Sequence, residues 1–444
     1  MTREPTPRKV LIIVENLPVP LDTRVWNEAT TLAAHGYQVS VICPAAKGFE
    51  RRFEVIDGIH IHRHPLPLEA GNKLSYVAEY LAASYWQFRL ALRVLRERGF
   101  DVIHACNPPD TLFALARFFK LLGKRFLFDH HDLAPELYEL KFGRRDLVYR
   151  LLLRLERLTF GTADIVLAPN QSFRRIAIAR GSVDPARVWV VRSGPKPERM
   201  RILPPNPSLR RGRRHLVGYV GLMASQDGIG NLLEAAHHIV HGLGRQDVHF
   251  HLAGNGPALE ALQSQSVALR IAEYVTFAGW LGGDELMQAL SSVDVCVSPD
   301  EVNPMNDKST MTKTMEYMAV GKPVVQFDTT EGRFSAQGAA LYAQPNDARD
   351  LAAKIVELLD NPERRQAMGA LGRQRVCDQL AWSHQEPKLL AAYDTLFRGS
   401  HPIGNAALTA EETAVADESG NRMQSESVEI RVNGAPVEVP EERE

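Results

Sequence analysis

Short apolar runs rich in β-branched residues alternate with amphipathic runs along most of this chain. The first pair consists of a strand-like run, Val10 to Glu15, and a helical run, Thr23 to His35, which ends at Gly36. Strands that alternate with helices pair in parallel, and the helices then cover both faces of the sheet. The alternation therefore predicts an α/β fold built from parallel sheets.

A Pro-rich and basic stretch interrupts this alternation before it starts again. It contains Pro204-Pro205-Asn206-Pro207 and the cluster Arg210 to Arg214, a composition typical of a segment between domains. A chain of 444 residues is also too long to fold around a single hydrophobic core. We predict two doubly wound, Rossmann-like domains with a cleft between them, at 9–195 and 215–398. A connector at 196–214 joins them, and a disordered acidic tail follows at 399–444.

Composition excludes several classes of protein. The formal net charge is −1, so no global charge favours nucleic acid as a partner. The four cysteines form no CxxC motif and are expected to be buried free thiols in a reducing compartment. Neither a signal-peptide core nor a run of about 20 apolar residues is present. These features predict a cytoplasmic protein and leave attachment to the inner face of the plasma membrane open.

The stretch from Asp294 to Asp328 predicts a strand, a loop, a helix and a second strand. In such a unit the helix N-terminus lies at the carboxyl edge of the sheet, where its amides and dipole favour an anion. Glu316 lies about one turn into that helix, and Lys313 at the expected cap position excludes a capping box. One interpretation is that the helix holds a diphosphate while Glu316 accepts both hydroxyls of a ribose. Simple complementarity to the dipole is the alternative.

The glycine patterns argue against two common nucleotide sites. The loop after the first strand contains no glycine, and Gly254-Asn255-Gly256 lacks the third glycine of a dinucleotide fingerprint. A P-loop is also absent, because Pro323 follows Gly321-Lys322. We therefore expect a nucleoside diphosphate without nicotinamide, and no cofactor beyond the donor substrate.

Several stretches along the chain match a known family in their order. They are Asp22-Thr-Arg-Val-Trp-Asn-Glu-Ala with Gly36-Tyr-Gln-Val, Phe128-Asp-His-His-Asp-Leu-Ala-Pro-Glu, Ala163-Asp-Ile-Val, Leu252-Ala-Gly-Asn-Gly-Pro, Val275-Thr-Phe-Ala-Gly, Ala289 to Pro299 and Glu316-Tyr-Met-Ala-Val-Gly-Lys-Pro-Val-Val. With these stretches the chain resembles the family-4 retaining glycosyltransferases, which have the GT-B fold and belong to the glycosyl transferases group 1. The resemblance covers Lys9 to Phe397 and includes a branch linked to surface-polysaccharide assembly.

This resemblance implies a set of donor-binding residues. Glu316 would bind the ribose, and Gly221 would belong to the turn after the first strand of the second domain. The turn that cradles the diphosphate would contain Met311, Thr312 and Lys313, and the loop beside the base would contain Gly254, Asn255 and Gly256. His130, His131 and Asp132 would lie near the transferred sugar as candidate catalytic residues. Related enzymes are thought to retain the anomeric configuration with neither a metal nor a protein nucleophile.

Three positions depart from the family pattern. Lys308 occupies the place of a glutamate that touches the donor sugar, while Leu222 and Asp227 occupy the places of two cations that face the diphosphate. Lys308 and Lys313 are the candidate replacements for those cations.

Two features of the predicted N-terminal domain concern the acceptor. Asp22 and Arg24 begin the first helix at the cleft and could contact the acceptor, although Arg24 and Glu28 could equally form a helical ion pair. The helix at 145–157 has Leu and Tyr on one side and Arg on the other. The default interpretation is an apolar face toward the core and a solvated basic face. The alternative is contact with an anionic membrane, which would suit a lipid-linked acceptor.

Two groups of histidines have spacings that could suit a metal. His60, His62 and His64 alternate along one strand, and His237 and His241 lie one helical turn apart. Neither group has a carboxylate or cysteine partner fixed by spacing. An exposed strand face and a solvated helix face are the favoured interpretations, and no metal site is predicted.

The sequence predicts a transferase that moves a sugar from a nucleoside-diphosphate sugar, UDP in preference to GDP, to a hydroxyl of a glycan or lipid-linked acceptor. A GT-B-type sugar-nucleotide epimerase is one alternative, since His130, His131 and Asp132 could act as acids and bases. The other is a non-catalytic sugar-nucleotide-binding protein, which Lys308, Leu222 and Asp227 would favour.

Overall fold

The computed structural model describes residues 7–46, 48–65 and 73–398, without the side chains of 73–80. These residues form two largely parallel sheets with helices on both faces, which confirms the predicted pair of doubly wound, Rossmann-like folds. The predicted tail at 399–444 lies outside the described residues. In the described part of the chain, every helix is too short or too polar to cross a membrane.

The N-terminal sheet has eight strands in the order β3-β4-β2-β1-β5-β6-β7-β8, and only β3 runs antiparallel to its neighbour. The strands are β1 (Lys9–Ile13), β2 (Gln38–Ala45), β3 (Phe53–Ile56), β4 (Ile59–Pro65), β5 (Val102–Cys106), β6 (Arg125–Asp129), β7 (Ile165–Ala168) and β8 (Val188–Val190). The helices are α1 (Thr23–Ala34), α2 (Lys73–Glu97), α3 (Leu112–Leu121), α4 (Ala134–Phe142), α5 (Leu147–Thr162) and α6 (Gln171–Ala179).

The C-terminal sheet has six parallel strands in the order β11-β10-β9-β12-β13-β14. Its strands are β9 (His215–Val220), β10 (Val248–Ala253), β11 (Val275–Gly279), β12 (Val295–Ser298), β13 (Val324–Phe327) and β14 (Ala340–Ala343). The helices that follow β9 in the chain are α7 (Ile229–His237), α8 (Leu259–Ala268), α9 (Gly283–Ser292), α10 (Thr312–Ala319), α11 (Thr330–Ala336), α12 (Ala348–Leu359), α13 (Pro362–Arg375) and α14 (Glu386–Arg398).

The end of the described chain returns to the first domain. Trp382, Leu389 and Tyr393 are buried in the same core as Ile12 and Val25. The indole Nε1 of Trp382 also donates a hydrogen bond to Thr31 Oγ1 over 2.8 Å. The sequence prediction assigned 215–398 to the second domain, and the assignment is corrected for Trp382 to Arg398. These apolar side chains complete the core of the N-terminal sheet.

Strand β4, which carries His60, His62 and His64, is largely buried. His62 and His64 are buried because β4 lies between β2 and β3 and α2 packs against it. A ring nitrogen of His64 lies 3.0 Å from Glu15 Oε2. Burial lowers the pKa of His64, but the contact with Glu15 outweighs it and raises the pKa above its usual value. The prediction of an exposed strand was therefore wrong.

His237 and His241 are not simply solvated. One ring nitrogen of each lies 2.9 Å from a carbonyl oxygen, that of Leu269 for His237 and that of Arg270 for His241. The two rings therefore connect the end of α7 and the turn after it to the residues that follow α8. Among the cysteines, Cys43, Cys106 and Cys296 are buried as predicted, whereas Cys377 is exposed.

Candidate functional site

The residues predicted from the sequence lie at the carboxyl ends of central strands, on the loops there or in the first turns of the helices that follow them. In the first domain they follow β1 and β6, and in the second they follow β9, β10 and β12. Parallel strands bring such loops to one edge of each sheet, where ligands of this fold class bind.

The loops after β9 and β10 touch backbone to backbone. A Cβ on Gly254 would lie 1.8 Å from Gly221 O, and one on Gly256 would lie 2.4 Å from Met223 O. Gly254 also has a φ of +146°, which residues with side chains rarely adopt. The predicted residues Gly221, Gly254 and Gly256 are therefore brought together, with Asn255 between the last two.

Helix α10 places Glu316 in its second turn. The side chain is half-buried, and within the described part of the chain the structure gives its carboxylate no hydrogen bond or ion pair. Burial raises the pKa of Glu316 to about 7, and Lys313 partly opposes that shift. A carboxylate this poorly solvated and without a protein partner is suited to accept hydrogen bonds from a ligand.

The cation predicted to face the diphosphate is already paired. Lys313 Nζ lies 2.6 Å from Asp300 Oδ1 and 3.7 Å from Asp227 Oδ1. Burial opposes the charge on Lys313, but these carboxylates and Tyr219 raise its pKa above the usual value. Asp227, which replaces a family cation, thus contacts Lys313 instead. Thr312 and Met311 begin the helix beside this cluster, with Met311 as its N-cap.

The other candidate cation, Lys308, contacts its own loop. Its Nζ donates a hydrogen bond to Pro304 O over 2.6 Å. The carbonyl of Lys308 in turn accepts from Asn170 Nδ2 over 2.8 Å, and Asn170 belongs to the first domain. The loop before α10 is therefore anchored across the domain boundary. Leu222, at the other departure from the family pattern, is exposed.

His131 is oriented by a carboxylate that sequence reasoning missed. A ring nitrogen of His131 lies 2.5 Å from Asp129 Oδ2. Arg24 donates two hydrogen bonds to the same carboxylate, from Nε to Oδ2 over 2.9 Å and from Nη2 to Oδ1 over 2.7 Å. Burial opposes ionisation of Asp129, but Arg24 and His131 hold its pKa well below the usual value. The available signal was Asp129 itself, at the end of β6 and two residues before His131.

Asn107 holds the backbone of the same loop and was also missed. Its Oδ1 accepts hydrogen bonds from the amides of His131 and Asp132 over 2.7 and 3.2 Å. Its Nδ2 donates to Asp132 O over 2.8 Å. The Asp132 carboxylate accepts from Asn16 Nδ2 over 3.2 Å, so this loop is joined to the loop after β1.

His130 does not face the cleft. Side chains alternate along an extended chain, so His130 shares the face of Phe128 whereas His131 shares the face of Asp129. The ring of His130 is fully buried beside Phe160 and Phe173, and burial lowers its pKa to about 3. The predicted place of His130 beside a transferred sugar is therefore corrected to a place in the core.

Asp22 and Arg24 are both engaged inside the protein. Asp22 caps α1, since its Oδ1 accepts a hydrogen bond from the amide of Val25 over 3.0 Å. Besides Asp129, Arg24 contacts Glu28 at 3.3 Å and donates to Val191 O over 2.7 Å. The helical ion pair expected as the alternative for Arg24 is therefore present.

One buried group has the residue types of a metal site. Ligand atoms of His104, Cys106 and Asp129 lie within 4.8 Å of one another. Asp129 is already held by Arg24, and His104 Nδ1 lies 2.9 Å from the hydroxyl of Tyr393. Burial raises the pKa of Cys106 well above its usual value, so the thiol stays protonated. We interpret this group as a hydrogen-bonded cluster.

The outer face of α5 differs from the default prediction. Leu147 is 79% exposed and Leu151 52% exposed, and Val148 is also exposed. Arg150 and Arg154 lie on the same exposed part of the helix. Apolar and basic side chains therefore share one surface, instead of separating into a core face and a solvated face.

Comparison with known proteins identifies both domains. Residues 21–194 match the family described as glycosyl transferase 4-like domain, and residues 214–361 match glycosyl transferases group 1. Among solved structures, sucrose-phosphate synthase from Thermosynechococcus elongatus superimposes with a TM-score of 0.71 at 19% identity, over 88% of this chain and 100% of that chain. Anabaena HepE in complex with UDP and glucose has a TM-score of 0.67 at 15% identity, over 87% and 100%. These similarities confirm the GT-B fold.

The curated relatives match this chain over different shares of their own length. The alpha-maltose-1-phosphate synthase of Mycolicibacterium smegmatis is 25% identical over 55% of this chain and 66% of its own. The sulfoquinovosyl transferase SQD2 of Arabidopsis thaliana is 26% identical over 62% and 52%. The glycogen synthase of Mycobacterium tuberculosis is 23% identical over 82% and 87%. The chain thus spans between half and two thirds of the first two relatives.

Proposed function

Both domains of this GT-B chain match glycosyltransferase families, and on that premise we propose that the protein transfers a sugar from a nucleoside-diphosphate sugar. UDP is favoured over GDP, and the acceptor is a hydroxyl of a glycan or of a lipid-linked intermediate in surface-polysaccharide or glycoconjugate synthesis. The observation that carries this proposal is Glu316, a half-buried carboxylate without a protein partner in the described chain.

The donor would rest against the start of α10. A carboxylate can accept two charge-assisted hydrogen bonds from the cis-hydroxyls of a ribose, and Glu316 is free to do so. The amides at Met311, Thr312 and Lys313 would hold the diphosphate together with the helix dipole. Because Lys313 is paired with Asp300, these amides supply most of the favourable field. Gly221, Gly254 and Gly256 let the backbone approach the nucleotide closely.

Positioning is the main contribution of the first domain. His131 would contact the donor sugar, with its ring fixed by Asp129 and its backbone fixed by Asn107. We propose that the departing diphosphate takes the proton of the incoming hydroxyl on the same face of the sugar, so that configuration is retained without a metal. The protein then acts by alignment and charge stabilisation.

We also propose that α5 contacts an anionic membrane surface, which would bring the enzyme to a lipid-linked acceptor. Exposed Leu147, Val148 and Leu151 beside exposed Arg150 and Arg154 support this. Apolar side chains that insert at the headgroups and cations that pair with anionic lipids are the features of interfacial helices.

The non-catalytic alternative retains one supporting observation. Two family cations are replaced by Leu222 and Asp227, and Lys313 is neutralised by Asp300. A protein that only binds the donor would leave UDP-sugars intact over long incubation, whereas a transferase without acceptor hydrolyses them slowly. Detection of free sugar by chromatography would exclude the non-catalytic role.

The donor site is tested by Glu316→Ala. Loss of two charge-assisted hydrogen bonds should weaken UDP binding by about tenfold or more without lowering the melting temperature, as measured by calorimetry. Glu285→Ala is a matched control, because Glu285 is an exposed carboxylate in the first turn of α9. Unchanged UDP affinity in Glu316→Ala would contradict the assignment.

A further inference from the structure

A cavity lies in the first domain, between β4 and α2. Its volume is about 290 Å³, and the residues that line it include Arg52, His62, Arg63, Trp86, Arg89 and Arg93. This size is near the lower end of the roughly 300–1,000 Å³ typical of small-molecule sites. None of its lining residues belongs to the proposed donor site.

Among the residues that the structure describes, the carboxylates near the cavity neutralise only part of its positive charge. Arg63 is paired with Glu54 at 2.5 Å, and Arg93 is paired with Glu97 at 2.7 Å. For Arg52 and Arg89, the structure shows no ion pair with any residue that it describes. Within the described part of the chain, two guanidinium groups at the cavity are therefore left without a carboxylate partner. Arg is the side chain best suited to bind a carboxylate or phosphate in two-point fashion.

His62 lines the same cavity and carries an unsatisfied polar atom. The residue is only 2% exposed, and its Nε2 is buried without a hydrogen-bond partner in the described chain. A buried polar group without a partner destabilises the fold, and an anion that accepts a hydrogen bond from the ring would remove that destabilisation. Burial and the neighbouring Arg93 lower the pKa of His62 to about 4, so the ring is neutral at pH 7 and can donate from one nitrogen.

The cavity also has an apolar wall. Trp86 and Leu90 line it, and the guanidinium of Arg89 lies 5.3 Å from the centroid of the Trp86 ring. A wall that combines an aromatic ring with cations fits a small organic anion with an apolar face better than it fits a bare inorganic ion.

The position of the cavity relates it to the acceptor side of the proposed site. Strand β4 lies two strands from β1, a distance of about 10 Å. Glu15, which follows β1, accepts a hydrogen bond from Gln87 on α2 over 2.6 Å and contacts His64 on β4. Asn16 next to it contacts Asp132. One chain of contacts thus links the walls of the cavity to the loop that carries His131.

We propose that this cavity binds an anionic group, a carboxylate or a phosphate, carried by a sugar unit of the acceptor. The acceptor role rests on the proposed transferase function, whereas recognition of the anion does not. Arg52 and Arg89 pair with the anion, His62 donates a hydrogen bond to it, and Trp86 packs against the sugar ring. The site would hold the acceptor at a unit other than the one whose hydroxyl reacts.

The test measures binding to the full-length protein by calorimetry, without nucleotide. The probes are trigalacturonate for the carboxylate, glucose 6-phosphate for the phosphate, and maltotriose as the neutral control. At least one anionic probe should bind and maltotriose should not. Arg89→Ala should weaken that binding roughly tenfold, and Arg96→Ala should leave it unchanged. Arg96 is an exposed arginine on the same helix that does not line the cavity.

The outcomes separate the two proposals. Binding of neither anionic probe, equal binding of maltotriose, or equal affinities in Arg89→Ala and Arg96→Ala would overturn the anion site. UDP affinity is measured on the same samples and should not change in Arg89→Ala. Weakened anion binding in Arg89→Ala, together with unaltered UDP affinity in Glu316→Ala, would support the anion site and contradict the donor site alone.

Discussion

His131 depends on one close neighbour in the chain and on one residue far from it. Asp129 fixes the ring, and Arg24, separated from Asp129 by 105 residues, fixes the carboxylate. A buried carboxylate with a bidentate arginine keeps its charge and its direction. The orientation of His131 is thus specified by a network of buried charged groups.

Removing the ring and removing its support should have overlapping effects. If Asp129 acts through His131, Asp129→Asn should lower kcat by about 10-fold to 100-fold with little change in KM. The double variant Asp129→Asn/His131→Ala should then be no slower than His131→Ala alone. Steady-state kinetics with a UDP-sugar measures this. Additive losses in the double variant would mean that Asp129 acts independently of His131.

The titration of Glu316 should make the affinity for UDP depend on pH. With a pKa of about 7, the folded protein holds this group as a carboxylate above pH 7 and as a neutral acid below. Affinity for UDP should therefore fall as pH drops from 8 to 6, by roughly tenfold if only the carboxylate binds. Glu316→Gln separates this effect from titration of the phosphate itself. Its affinity should be lower at pH 8 and should lose the dependence that is due to Glu316, as calorimetry across this range would detect.

Single residues also show which parts of the candidate site can be predicted from the sequence. Glu316 was predicted because its helix, its distance from the N-terminus and the missing capping box are all local features. Asn107 was missed because its hydrogen bonds reach a loop that follows another strand. Asp129 was missed although it lies close to His131 in the chain, because its charge and direction depend on the distant Arg24. His130 was misplaced because the motif contains two adjacent histidines. Side chains alternate along an extended chain, so only His131 shares the face of Asp129, whereas His130 points into the core.

At the scale of elements, most strands and helices follow from hydrophobic periodicity. The helices α4 and α11 were not predicted, since both are short and carry polar residues throughout. The burial of β4 was also missed, because His and Arg dominate its sequence and only the sheet order shows that β3 covers its edge. Periodicity predicts which element forms, but its neighbours in the sheet decide what becomes buried.

Helix α5 provides the test of membrane contact. The protein should co-sediment with vesicles that contain phosphatidylglycerol and not with pure phosphatidylcholine, and added salt should weaken this binding. Arg150→Glu/Arg154→Glu should reduce partitioning by tenfold or more, at about 1 kcal/mol per basic residue. Leu151→Ser should also weaken it. Leu371→Ser, an exposed leucine on α13, should not. Equal sedimentation of all variants would contradict contact through α5.

On the scale of the whole molecule, the two domains are joined by more than the connector. Glu331 on α11 accepts hydrogen bonds from the amide and hydroxyl of Ser172 over 3.2 and 2.7 Å, and it lies 3.3 Å from Arg192. These groups are buried. Breaking one partner of such a buried set is usually costly, because a charge is left uncompensated. The composition of the connector indicated two domains but carried no information about these contacts.

The return of the chain to its first domain can be tested by substitution. Trp382→Ala should destabilise the protein by about 3–5 kcal/mol, because a fully buried indole is lost from the core of the N-terminal sheet. Leu371→Ala is the control and should change stability by less than about 0.5 kcal/mol. Chemical unfolding measures both. A Trp382→Ala protein as stable as the control would show that the first domain does not need this segment.

The packing of α14 against the first sheet also sets an order of events during synthesis. When β8 leaves the ribosome, about 200 further residues must be translated before Arg398 follows. At about 5–20 residues per second, that takes roughly 10–40 s. Throughout this interval the N-terminal sheet lacks Trp382, Leu389 and Tyr393, which complete its core in the folded protein. We therefore expect the N-terminal half to finish folding only after this segment has been translated.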